Sequence, residues 1–183
     1  MIRDPEASKK DHYKALYALL YKRKDIKKLI QECLSASHVY NSIYLPLEYL
    51  CLLYVEGFEE VTYEAEISDI ADKLFKLYPS SINGYFAKGK YFYSVGRFKE
   101  SIDWLKEGVE AKFLPKMAEI LIECKLKFAD FTGALETIAQ YRHKVTKLDP
   151  EKASKLKGWE IEALFGSDLD LGEKAFQEVW IFK

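Results

Sequence analysis

Glycine and proline are scarce, at 9 and 5 of 183 residues. A sandwich or barrel of many short strands needs more turn punctuation than that; long helices joined by short turns do not. Cysteine is scarcer still. Cys33, Cys51 and Cys124 are odd in number, far apart and without a Cys-x-x-Cys pair. That speaks against a disulfide framework and for buried thiols in a reducing compartment. Long apolar runs are missing too. The strongest, residues 43–55, is interrupted by Pro46 and Glu48 and falls short of the about 20 residues that a membrane-spanning helix requires. Residues 1–10 are polar and charged, unlike a secretory leader. Neither Asn41-Ser42-Ile43 nor Asn83-Gly84-Tyr85 completes a glycosylation site. An intracellular protein, cytoplasmic or nuclear and apart from membranes, is expected.

Charge of one sign is also lacking. The net charge is −1, so no overall field selects nucleic acid or membrane. Its distribution is uneven. Residues 1–40 hold 9 basic and 5 acidic side chains, and residues 41–70 hold 7 acidic and no basic ones. The acidic stretch reads either as a docking patch for a basic partner or as a solvated helix face and loop.

The constellations that carry chemistry are absent. His12, His38 and His143 are isolated, with no ligand at metal spacing. Cys33 and His38 are five apart, but Cys33 falls at a core place of the pattern described below. There is no Gly-x-Ser-x-Gly elbow. The acidic pairs Glu59-Glu60 and Asp168/Asp170 sit in polar turns or loops and read as solvated, without the burial a catalytic carboxylate needs. The string from Gly84 through Gly89-Lys90 nearly matches a phosphate-binding loop, yet Tyr91 replaces the small hydroxyl residue and both glycines fall inside a helical pattern. No catalytic residue, cofactor site or metal site is therefore expected, and the chain does not read as an enzyme. The basic runs Lys22-Arg23-Lys24 and Lys27-Lys28 lack interleaved aromatics, so nucleic acid is not the expected partner. An RNA-binding helical repeat stays as an alternative.

What the chain does have is apolar content of 49%, charged content of 31% and many rings: 13 Tyr, 11 Phe and 3 Trp. Such rings build contact surfaces with a polar tip. It also has a repeat. Tyr85, Gly89 and Phe92 fall on one stripe of a 3.6-residue helix, Gly96 permits a turn, and Ser101, Leu105 and Gly108 form the matching stripe of a second helix. Small residues at Gly89, Ser101 and Gly108 let two backbones approach closely. The same spacing recurs as Tyr13, Leu16, Tyr17, Leu20, Ile26, Leu29, Cys33 and Ala36. It returns as Ala118, Leu121, Ile122, Phe131, Ala134, Ile138 and Tyr141, with Lys125 off pattern, as Lys88 is in the central copy. A last copy reads Trp159, Ala163, Ala175, Val179 and Phe182. A split copy pairs Pro46, Tyr49, Leu50 and Leu53 with Ile67, Ala71 and Leu74 across an acidic insertion at 56–66. Tyr78-Pro79-Ser80-Ser81, Leu114-Pro115 and Asp149-Pro150 end hairpins where they should.

This pattern resembles the tetratricopeptide repeat over nearly the whole chain. The resemblance implies an all-α, right-handed α-solenoid of about five antiparallel helical hairpins, at about 9–37, 44–78, 82–112, 115–146 and 150–182, forming a single domain over 1–183. It implies a non-catalytic protein–protein interaction scaffold or adaptor, a subunit of a larger intracellular assembly. A reversible receptor for peptide motifs is the alternative. In that family the first helix of each repeat lines a groove that takes a peptide or helix. Its lining falls here on Tyr21, Tyr44, Leu47, Tyr54, Asn83, Phe86, Lys90 and Tyr93, an aromatic and mildly basic set. The alternative for any single ring among these is packing against a neighbouring helix. One version of the family grips the carboxylate ends of chaperones through a Lys and an Asn. Those places hold Phe86 and Lys90 in the central copy and Lys14 and Ala18 in the first, so that activity is not expected. Val179 and Phe182 belong to the inward stripe of the last copy, whereas Trp180 and Ile181 do not share it. Apolar groups pointing several ways there imply either that the solenoid continues in a longer parent or that another subunit, a second copy included, covers this face. The strings around Tyr44-Leu45-Pro46, Leu77-Tyr78-Pro79 and Tyr85-Phe86-Ala87-Lys88-Gly89 are similar to those of the repeat scaffolds of the anaphase-promoting ubiquitin ligase.

Overall fold

The structure, a computed structural model, describes residues 5–39, 42–58, 66–145, 147, 149–168, 172, 175 and 176. Among these, regular structure is helical throughout: α1 (Pro5–Lys22), α2 (Ile26–Val39), α3 (Leu45–Glu56), α4 (Ile67–Leu77), α5 (Ile82–Ser94), α6 (Phe98–Ala111), α7 (Pro115–Lys127), α8 (Phe131–Lys144) and α9 (Pro150–Ser167). Residues 172, 175 and 176 are helical as well. The chain divides into two compact units, Met1–Tyr91 and Phe92–Lys183.

Local chemistry sets the helix ends. Pro115 and Pro150 open α7 and α9, and Pro46 lies in the first turn of α3; a fixed φ and a missing N–H cost nothing there. Asp130 and Asp149 cap α8 and α9 by accepting from the backbone N–H groups of Gly133 at 3.0 Å and Lys152 at 2.8 Å. Ser81 Oγ accepts from Gly84 N at 2.9 Å and caps α5 in the same way.

Four turns close in one manner. Lys24, Gly57, Gly96 and Ala129 take positive φ of 58°, 82°, 76° and 61°. The next residue's N–H then reaches back over the last helical turn: Asp25 to Leu20 O at 3.0 Å, Phe58 to Leu53 O at 3.4 Å, Arg97 to Phe92 O and Asp130 to Lys125 O at 2.8 Å each. This is the Schellman arrangement, which satisfies carbonyls that a helix end leaves open. The turns recur at intervals of 33, 39 and 33 residues, subtracting successive positions among 24, 57, 96 and 129. The longer interval contains the acidic insertion.

The buried stripes follow the repeat. On the second helices, Leu29, Cys33 and Ala36, then Ile67, Ala71 and Leu74, then Ser101 and Leu105, then Ala134, Ile138 and Tyr141 are each at most 4% exposed. On the first helices the matching buried groups are Tyr13 and Leu20, Leu50 and Leu53, Ala118, Leu121 and Ile122, and Trp159 and Ala163. Each large apolar side chain so buried contributes about 1.5–3 kcal/mol. In the first unit α1 packs on α2 and α3, α2 on α3 and α3 on α4. In the second α6 packs on α7, α7 on α8 and α9, and α8 on α9. Within each unit, then, first helices lie against first helices.

The two off-pattern lysines are accommodated by pairing. Lys88 is 7% exposed, and its ammonium meets Asp72 of α4. Lys125 is 8% exposed and donates to Gly133 O and Thr137 Oγ1, both at 3.0 Å. In each case the methylene stem fills the place an apolar residue would take while the charge finds partners.

Candidate protein-binding surface

Each unit presents a surface of its own, built from the exposed flank of its first helices. In the first unit it begins at α1. Tyr17 stacks on Tyr49 of α3 at 4.1 Å between ring centroids and on Tyr21 at 5.3 Å. Tyr21, 38% exposed, stands edge-on to Phe58 at 6.1 Å and shares a hydrogen bond with the Glu56 carboxylate, which raises its phenol pKa. Burial, then the neighbouring Glu56 carboxylate, pushes the Tyr17 phenol far above its ordinary value, so it stays protonated. Tyr44 lies 4.8 Å from Tyr78, and Lys10 sits 5.7 Å from the Tyr44 ring centroid.

Farther along, α3 meets α5. Lys90 Nζ donates to Tyr54 O at 2.7 Å and lies 4.8 Å from the Tyr54 ring centroid. The contact combines a charge-assisted hydrogen bond with attraction to the ring face. Glu48 accepts from Ser81 Oγ and from Asn83 Nδ2, the latter at 2.8 Å. Burial raises the Glu48 carboxyl pKa, opposed in part by those two hydrogen bonds. Since Ser81 is also the cap of α5, one carboxylate of α3 holds the start of α5 in place.

In the second unit Tyr93, in the last turn of α5, donates to Glu123 of α7 at 2.8 Å. Burial and this carboxylate push its phenol up to about 12. The other Glu123 oxygen pairs with Lys155 of α9 at 3.1 Å, and Lys155 lies 4.4 Å from the Trp159 ring centroid. Lys127 sits 5.6 Å from the Tyr93 ring and 5.5 Å from the Phe98 ring. Rings and ammonium groups thus alternate around one carboxylate.

The residues expected to line the groove separate into two sets. Tyr21 is exposed, and Tyr44, Tyr54, Asn83, Lys90 and Tyr93 are half-buried and keep surface for a partner. Leu47 and Phe86 are each 4% exposed, and Leu47 is part of the core cluster; they support the surface from beneath. Val179, Trp180, Ile181 and Phe182 lie outside the described residues. Several participants were not singled out from the pattern: Tyr17, Tyr49, Glu48, Glu123, Lys127 and Lys155. Glu48 had a visible signal, as a lone acid inside an apolar stretch. Tyr17 and Tyr49 fell on the buried stripe, and nothing local distinguishes a stacked pair from two core rings.

Among the described residues no group of three or more His, Cys, Asp or Glu side chains is placed to hold a metal ion, and no helix is long and apolar enough to cross a membrane. The chain has an all-helical fold of the tetratricopeptide-like α-solenoid kind, built of helical hairpins. It is similar in structure to pilF of Pseudomonas aeruginosa, a protein containing such repeats, with a TM-score of 0.66 at 12% identity, covering 95% of this chain and 76% of that one. No family model matches the chain, and no curated protein matches it by sequence.

Proposed function

We propose that this chain is a non-catalytic scaffold or adaptor that holds a peptide or helix of another protein along its first-helix surface, within a larger intracellular assembly. The observation that carries this reading is that each unit holds a partly accessible ring with a cation against it: Tyr54 with Lys90 in one, Tyr93 with Lys127 in the other. Aromatic and cationic groups on rigid helices supply contact area at little cost in conformational freedom and dominate protein interfaces. Three free, buried cysteines support action in a reducing compartment. The resemblance of the strings at 44–89 to the anaphase-promoting scaffolds adds no more than the repeat fold to this reading. The segment Val179-Trp180-Ile181-Phe182 is proposed as a second, assembly face, covered by another subunit or a second copy.

The test is a random-peptide display panned against the chain, followed by titration of enriched peptides. Tyr54→Ala/Lys90→Glu and Tyr93→Ala are each expected to weaken binding by about tenfold or more, the loss of one anchor residue. Enrichment of no peptide, or equal binding by both variants, sinks the groove reading. For the second face, light scattering of Trp180→Ser/Phe182→Ser against the unaltered chain is decisive. A dimer that becomes a folded monomer supports it, and a chain monomeric at every concentration removes self-association.

A further inference from the structure

Several rings of this protein have a cation of the same chain against them. Lys10 stands by Tyr44, Lys90 by Tyr54, Lys127 by Tyr93 and Phe98, and Lys155 by Trp159. One cluster has none. Tyr49, Tyr17 and Tyr21 form a stack, with successive centroids 4.1 and 5.3 Å apart and planes 19° and 17° apart. Phe58 stands at 89° to Tyr21, at 6.1 Å. Among the described residues no Lys or Arg lies over any of these four rings. Tyr21 ends the stack and is exposed, and Phe58 is half-buried. Two rings at right angles are adjoining walls of a ring-lined box, whose electron-rich faces attract a cation.

A carboxylate completes the box. Glu56 accepts a hydrogen bond from the Tyr21 phenol. It is exposed and, among the described residues, takes part in no ion pair. It is also the last residue of α3, whose last turn contains no basic residue. Carbonyls at a helix C-terminus carry partial negative charge, and a cation is their ordinary complement. Helix α1 has Lys22 in that place, whereas α3 adds an acid to its negative end. Ring faces, a carboxylate and a helix end thus converge on one missing positive charge. Lys22, Arg23 and Lys24 follow Tyr21 directly, yet none pairs with Glu56 or lies over these rings. Lys14 pairs with Asp11 at 3.8 Å. We propose that Tyr21, Phe58 and Glu56 take a Lys or Arg side chain of another protein, carried on the segment that lies along the first-helix surface of the first unit. The inference rests on that surface being a binding face and names the chemistry this end of it selects. It gives the stretch at 41–70, acidic and without a basic residue, a point of contact at Glu56. Glu66 and Asp69 lie elsewhere, with Leu34, Ser37 and His38, and take no part.

The first test titrates the whole chain with lysine and arginine blocked at both backbone ends, and with blocked norleucine and citrulline as neutral counterparts, following the NMR signals of Tyr21 and Phe58. The two cations are expected to shift those signals saturably, with Kd of about 1–50 mM, and the neutral counterparts to bind at least about threefold more weakly. Glu56→Gln keeps the shape of an exposed side chain and should leave the melting temperature unchanged while weakening the cations several-fold. Tyr21→Leu/Phe58→Leu should abolish the difference between charged and neutral probes. Glu107→Gln, an exposed acid of the other unit, should change nothing. The second test takes peptides enriched by display and replaces each Lys or Arg by norleucine or citrulline. One replacement is expected to cost about tenfold against the unaltered chain and much less against Glu56→Gln, the signature of a direct pair. The proposal is overturned if the blocked cations leave Tyr21 and Phe58 unmoved, if neutral probes bind equally, or if Glu107→Gln matches Glu56→Gln. Peptides that depend on Tyr54 and Lys90 but not on Glu56 or on their own cations leave the groove reading standing and overturn this one. Saturable cation binding without any enriched peptide does the reverse.

Discussion

In the first unit, neighbouring first helices meet ring on ring. Tyr17 lies 4.1 Å from Tyr49 and 5.3 Å from Tyr21, over a core of Leu29, Leu50, Leu53, Ile67 and Leu74. In the second, the outer edges of the helices are bridged by charge over the buried stripes. Lys155 bridges to Glu123 at 3.1 Å and Arg142 forks onto Glu160 at 2.7 and 2.8 Å, while Lys157, on the same helix as Glu160, supports that carboxylate at 3.2 Å. The repeat spacing is common to both, so spacing governs which positions face inward and leaves open what holds the outer edges. Aromatic stacking is indifferent to pH and salt, and surface ion pairs are not. The two units should therefore respond differently to the same perturbation.

The largest effect is expected in the cores, where the units should behave alike. Leu50→Ala and Leu105→Ala, both fully buried, should each cost about 2–5 kcal/mol by urea unfolding; a clear disparity would break the equivalence of the stripes. Next come two glycines of α9. A Cβ on Gly166 would stand 2.4 Å from the Phe131 ring, whereas one on Gly158 meets nothing within 4 Å. Gly166→Ala should lower stability by about 1–3 kcal/mol through overpacking. Gly158→Ala should raise it by about 0.5–1 kcal/mol through helix propensity, and a thermal melt in which both changes move the same way contradicts the packing described.

The paired lysines sharpen the contrast. Thr137→Val leaves the buried Lys125 ammonium with one fewer acceptor and should cost about 1–3 kcal/mol. Lys88→Leu replaces a buried charge by an apolar side chain of similar size and should fall within about 1 kcal/mol of neutral, on either side. Denaturant titration of both variants decides whether the two off-pattern positions are equally dependent on their charge.

The smallest effect is on pH. Hydrogen bonds from Arg142, first among the causes, hold the Glu160 carboxyl at about 2 against an ordinary 4.5. A folded pKa below the unfolded one means stability that is present above about pH 4.5 and lost as pH falls toward 2. The pair is partly exposed, so the loss should be below about 1 kcal/mol. Glu48 has the opposite sign. Burial raises its pKa, so its contribution is complete below the unfolded pKa and is lost as pH rises through the folded one. Unfolding of Glu160→Gln and Glu48→Gln between about pH 3 and 7 should therefore show stability profiles displaced in opposite directions from that of the unaltered chain.

Much of this fold was legible from spacing. The apolar and small residues at Leu29, Cys33 and Ala36, and their counterparts through Tyr141, are buried as the periodicity predicts. Pro115 and Pro150 open helices where hairpins were expected to begin. The repeat frame also placed the extra residues of the second copy between α3 and α4. The surface was less legible. Leu47 and Phe86 shared the groove spacing with Tyr54 and Lys90, yet they are buried, because a helix position names a direction and not what lies across from it. Glu48 was visible as an oddity inside an apolar stretch, but its partners Ser81 and Asn83 stand 33 and 35 residues away.

The sequence by itself determined the helices, their stripes and the turn positions, since these depend on residues within a turn or two of one another, where the 3.6-residue period and the intrinsic preferences of Pro, Gly, Asp and Ser act directly. Only the tertiary structure decided which rings stack, which lysines are neutralised and by whom, and which groove positions keep a face in solvent. Those outcomes depend on the separation of groups far apart in the chain, and that separation exists only once the hairpins have packed.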